Sequence, residues 1–65
     1  MFSIEDAKAA RIGTVVELAA GEYVGGIAHK HGPDKWFVAW SWDLPLTDDE
    51  IVERRARFVA TTRLR

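Results

Sequence analysis

The sequence predicts an α+β domain: a short N-terminal helix, a three-stranded antiparallel sheet and a C-terminal amphipathic helix. Three observations carry this. "SIEDAKAAR" and "TDDEIVERRARFVA" each open on a hydroxyl residue with an acid three places on, the signature of a capped helix start. Between them lie three runs rich in β-branched and aromatic residues. Turn-forming clusters, Gly21-Glu22 and "HGPDK", separate those runs.

The first helix is expected over 3–11, with Ser3 as cap, Asp6 closing the box, Glu5 and Asp6 at the dipole's positive end, and Gly13 ending it. "TVVELAA" is the first strand, and Gly21-Glu22, glycine first, fits a two-residue type II′ hairpin turn. "YVGGIAHK" is the second strand. Its Gly25 and Gly26 mark a bulge or a close approach to the backbone. "WFVAWSW" is the third strand, with Trp36, Val38, Trp40 and Trp42 on one face and Phe37, Ala39 and Ser41 on the other. The last helix runs over 48–60 behind the Thr47–Glu50 capping box. Glu50 with Arg54, and Glu53 with Arg57, are i,i+4 pairs in the favourable order, and Ile51, Val52, Ala56, Phe58 and Val59 form its apolar face. "TTRLR" is a frayed end. A small SH3-like barrel with a terminal helix is the alternative, because short strands around a glycine-rich middle suit that fold too.

Sixty-five residues make a single domain over 1–65. A chain of this size buries only about 60% of the surface it exposes when unfolded. With no cysteine it has no disulfide or thiolate metal site to hold it, so its aromatic residues or a partner must. No apolar run is long enough to span a bilayer and no signal layout precedes Glu5 and Asp6, so a soluble cytoplasmic protein is expected. The net charge of −1 argues against a general nucleic-acid binder, which needs a basic excess to neutralise phosphates. The charges are nevertheless sorted. Asp43, Asp48, Asp49, Glu50 and Glu53 come without a base, and Arg54, Arg55, Arg57, Arg63 and Arg65 follow without an acid.

Catalytic chemistry finds little here. Ser3 is a cap, and Ser41 has no obvious base or acid to complete a triad. The glycines of "GGIAHKHG" lack the order of a phosphate-binding loop. His29 and His31, two apart on an extended chain, could hold a metal ion with Asp34, but lack a fourth ligand and read as surface residues at a strand end. No enzyme, cofactor or metal is therefore expected. Arg55, in the middle of the helix's apolar face, is expected to lay its stem on that face or to pair with Asp43 or Glu17.

The tryptophan stripe is expected to supply the core, with Trp36 or Trp42 at a strand end left exposed as an interface anchor. The acids form a helix N-terminus and, with Asp43 and Glu53, a negative patch that would attract basic surfaces. The first functional expectation is thus a small binding protein, monomeric or a homodimer, that inhibits or modulates a larger protein partner through Asp43, Asp48, Asp49, Glu50, Glu53, Trp36 and Trp42. In size, lack of cysteine and compact α+β layout the chain resembles small accessory proteins of bacteriophages and mobile elements, among them anti-CRISPR proteins. That resemblance implies docking on a CRISPR effector, the acids competing with DNA for a basic surface. The alternative is a small nucleic-acid-binding module that uses Trp36, Lys30, Lys35, Arg57, Arg63 and Arg65.

Overall fold

In a computed structural model of the chain, residues 2–39 and 41–61 are described, those at 41–44, 60 and 61 by backbone alone. The elements are α1 (Ile4–Ala9), β1 (Thr14–Glu17), β2 (Ile27–Gly32), β3 (Lys35–Val38), β4 (Ser41–Leu46), α2 (Asp48–Glu53) and β5 (Arg57–Thr61). The α+β class stands, but the sheet has five strands in the order β4-β3-β2-β1-β5, every neighbouring pair antiparallel. The expected three-stranded sheet undercounts it, for two physical reasons.

The first lies in the tryptophan stretch. β3 ends at Val38 and β4 begins at Ser41, with Val38 and Ser41 paired across the two strands. The chain therefore reverses inside "WFVAWSW", and the tryptophans do not lie along one strand. No Gly, Pro, Asn or Asp marks this reversal, so the alternating pattern runs through it unbroken.

The second lies in the last helix. Thr47 Oγ1 accepts from the Glu50 N–H at 3.2 Å and Glu50 Oε1 accepts from the Thr47 N–H at 2.8 Å, so the capping box forms as expected. The helix nevertheless stops at Glu53, and Arg55, expected within it, has a left-handed φ of 53°. Residues 57–61 become β5 beside β1. "RFVAT" is β-branched and aromatic enough to accept that state, and pairing satisfies one edge of β1, which a longer helix would leave open. The expected helical ion pairs are lost with the helix. Arg57 faces Glu17 across β1 and β5 instead, and Arg54 Nη1 donates to the Glu50 carbonyl, not its carboxylate.

Two further boundaries move. β2 starts at Ile27, and residues 21–25 form turns, so no two-residue hairpin joins β1 to β2. The neck of this wider connection is closed by Leu18 N–H to Gly26 O at 2.8 Å and Gly25 N–H to Leu18 O at 2.7 Å. Gly25 sits at φ 84°, which explains its presence as a turn residue and not as a strand bulge. α1 is shorter than 3–11, but its Ser3–Asp6 capping box is present.

One face of the sheet is buried. Val16 and Leu18, Ala28, Trp36 and Val38, and Leu46 meet Phe2, Ala7, Ile51 and Ala56 in a single core. Trp36 is its largest fully buried side chain, and Phe2 stands edge-on to it at 6.3 Å. Among the described residues no helix is long and apolar enough to cross a membrane.

Candidate functional site

Three of the residues expected at a binding surface are inside the protein. Trp36 is fully buried, and its indole Nε1–H donates to Asp48 Oδ1 at 2.7 Å. Asp48 is buried too, held by its own N–H to Asp34 Oδ1 at 2.8 Å. Lys30 is buried, and its Nζ donates to the carbonyls of Ala7 at 2.6 Å and Lys8 at 3.2 Å, acceptors at the C-terminal end of α1 that have no further helical turn to bond. The same ammonium lies 5.6 Å from the Trp36 ring centre. Trp36 and Asp48 therefore cannot act as partner anchors, nor Lys30 as a nucleic-acid contact. They tie the two helices to the sheet, and Lys30 and Asp48 line the wall of a cleft of about 340 Å³ with Ile4, Lys8, Pro33 and Asp49.

The acidic patch shrinks accordingly. Asp49 and Glu53 are exposed, while Glu50 is half-buried and spends its carboxylate on the cap. The side chains of Asp43 and Trp42 lie outside the described residues, as do Trp40, Arg63 and Arg65. Lys35 is exposed. Arg57 is exposed as well, with Nη2 at 2.6 Å and Nε at 2.9 Å from Glu17 Oε1.

A different surface stands out. Phe58 and Val59, expected to cover the core from a helix, sit on β5 at 53% and 56% exposure. Among the described residues β5 pairs with β1 alone, so it is an edge strand. The Phe58 ring packs edge-on against Phe2 at 4.8 Å, which fixes its position at the rim of the core. Beside it runs a groove of about 660 Å³ lined by Phe2, Val52, Glu53, Arg55, Ala56 and Arg57. An apolar floor with charges of both signs at the rim is the anatomy of a protein contact site. The signal for it in the sequence is the aromatic and β-branched pair Phe58-Val59 that follows Arg54, Arg55 and Arg57, residue types that a strand accepts readily.

The face of the sheet away from the core carries His29, His31 and Phe37. The His29 and His31 rings are 4.8 Å apart, and His31 and Phe37 also 4.8 Å. Burial, and then the charge of His31, hold the His29 pKa below its ordinary 6.5. The histidine spacing was legible in the sequence. The addition of Phe37 depended on the β2–β3 register, which sets Phe37 opposite His29.

These features define a small α+β domain built on a five-stranded antiparallel sheet, with Phe58 and Val59 exposed on its β5 edge and Ile12, Val24 and Ile27 exposed elsewhere. No protein-family model, curated protein or solved structure matches the chain.

Proposed function

We propose that the chain is a non-enzymatic binding module that modulates a larger protein partner, docking through β5 and the groove beside it. The exposure of Phe58 next to Val59 on an edge strand carries this reading. An edge strand offers unpaired backbone groups to a partner's strand, and an aromatic residue fixed at its rim is a ready anchor. Glu53, Arg55 and Arg57 supply a charged border that would set the orientation of the complex.

This reading keeps the class of function expected from the sequence and changes its surface. Double-stranded DNA carries one charge per ~1.7 Å of axis. Asp49 and Glu53, the exposed acids of α2, are too few to imitate it. A nucleoprotein effector of the kind the phage-inhibitor resemblance implies would be met through apolar contact and strand pairing, not phosphate mimicry. The strand order, a meander of β1 to β4 with β5 laid back beside β1 through a short helix, also supports the SH3-like reading of the fold. That likeness bears on architecture and leaves the partner to be decided by the surface.

The test is capture from nuclease-treated lysate of the native host by the wild-type chain and by Phe58→Asp, each checked for an unchanged far-UV spectrum. A discrete protein recovered by the wild type and lost with the variant supports the proposal. Recovery that is indifferent to Phe58→Asp, or recovery of nucleic acid in place of protein when nuclease is omitted, overturns it.

A further inference from the structure

The end of α2 carries a residue type that its backbone does not favour. Arg55 N–H donates to the Val52 carbonyl at 3.0 Å and Ala56 N–H to the Ile51 carbonyl at 3.4 Å, the double closure of a helix C-terminus in which the residue at Arg55 turns left-handed. Its φ is 53°, a conformation in which glycine is the usual occupant and a Cβ crowds the following carbonyl. Asp34, the other described non-glycine residue with a positive φ, is of a short polar type that adopts this region more readily. A long side chain kept at such a position points to a task for the side chain itself. Arg55 is exposed, lines the groove with Phe2, Val52 and Ala56, and its guanidinium forms no hydrogen bond or ion pair among the described residues. Arg57, the other cation of the groove, is engaged by Glu17.

Resting on the docking reading above, we propose that Arg55 selects the partner: β5 and its groove take an extended acidic segment of another protein, which sets a carboxylate against the Arg55 guanidinium and an apolar side chain on the floor of Phe2, Val52 and Ala56. A guanidinium meets a carboxylate through two parallel N–H donors, so an uncommitted fork beside an apolar floor recognises an acid at one place. An extended segment suits this edge, because strand addition supplies main-chain hydrogen bonds while alternate side chains turn to the groove. Phe58 faces Val16 across the strands and packs on Phe2, so its ring lies on the groove side of the sheet. Glu53 on the same rim repels a second acid and thereby sets the direction of the segment. A second copy of this chain is the poorer occupant. Residues 54–65 hold five arginines and no acid, and pairing two β5 strands would bring two such runs together.

The experiment titrates the full chain with a short capped peptide of alternating valine and glutamate, and with its valine–lysine counterpart, followed by amide NMR at low salt. It is run on the wild type, Arg55→Gly, Arg55→Lys and Phe58→Asp. The glutamate peptide should shift the amides of residues 55–61 in the wild type, and the lysine peptide should not. Arg55→Gly should weaken the glutamate peptide by about tenfold or more. The same variant relieves the left-handed backbone, so the free chain should melt a few degrees higher. A gain in stability joined to a loss of binding is the reverse of what a merely structural arginine would give. Arg55→Lys should keep part of the affinity with stability unchanged. Phe58→Asp should abolish binding, and so reports on the docking surface itself. Glutamate-peptide shifts that are lost in Phe58→Asp but kept in Arg55→Gly would sink the role of Arg55 and leave the docking surface standing. Equal binding of the two peptides, no shift at millimolar peptide, or a lower melting temperature for Arg55→Gly would overturn the proposal, as would self-association of the free chain, abolished by Phe58→Asp, in sedimentation equilibrium.

Discussion

Trp36 and Asp48 meet inside the protein, indole Nε1 to carboxylate Oδ1 at 2.7 Å, and so join β3 to the first turn of α2. The pair reconciles two residue types that normally avoid full burial: the indole needs an acceptor and the carboxylate needs donors. Asp48 also occupies the positive end of the helix dipole and draws Asp34 onto its own backbone. Trp36→Phe keeps most of the ring volume but strands the carboxylate, and should cost about 1–3 kcal/mol. Trp36→Ala adds a cavity and should cost about 3–5 kcal/mol. Urea denaturation checks both. A cost for Trp36→Phe close to zero would mean that the hydrogen bond adds nothing.

Lys30 closes the other end of the same layer. Its ammonium caps the carbonyls of Ala7 and Lys8, where the helix dipole favours a cation. Lys30→Met preserves the stem and removes the charge, leaving those acceptors under-satisfied, and should destabilise by about 1–3 kcal/mol. A surface lysine would change stability by less than about 0.5 kcal/mol, so the same denaturation curve separates a structural from a surface role.

Gly21 shows how closely the β1–β2 connection packs on the end of α2. It lies at φ 83°, and a Cβ there would stand 3.2 Å from Arg54 Cγ. Arg54 cannot move away freely, since its guanidinium bonds the Glu50 carbonyl and lies 5.7 Å from the Tyr23 ring. Gly25 has a similar φ of 84° but open space around it. Gly25→Ala should therefore lose only the left-handed penalty of about 1–2 kcal/mol, and Gly21→Ala should lose more. Equal losses in paired thermal melts would show that Arg54 yields without cost.

His29 makes one face of the sheet sensitive to acid. Its lowered pKa, caused first by burial and then by His31, means that the unfolded chain binds the proton more tightly than the folded one. Stability should consequently rise with pH across the window just below 6.5 and be lost as pH falls through it. In NMR titrations His29 should show a midpoint below 6.5, and His31→Ala should raise it part of the way, since burial is the larger cause. Full recovery of the ordinary value in that variant would instead assign the shift to His31 alone. The His31 ring on the same strand is in contact with His29, and Phe37 on β3 is in contact with His31 in turn.

What could be read from the chain alone was local. The Ser3–Asp6 and Thr47–Glu50 caps were legible because each is completed within four residues, and both helices start where the caps require. The common face of His29 and His31 was likewise carried by a two-residue period, whereas Trp36, expected as an exposed anchor at a strand end, is buried. Everything that needed a distant partner was decided by the tertiary structure. Residues 57–61 have a spacing that suits a helix, and they become a strand because β1, some forty residues earlier, offers an edge and Glu17 offers Arg57 a counter-charge. Asp48 looked like one more surface acid until Trp36 claimed it, and Lys30 like a surface base until the end of α1 did. Phe58 and Val59 moved from the expected core to the rim for the same reason: burial belongs to the assembled sheet, and a sequence pattern records only which residues share a side.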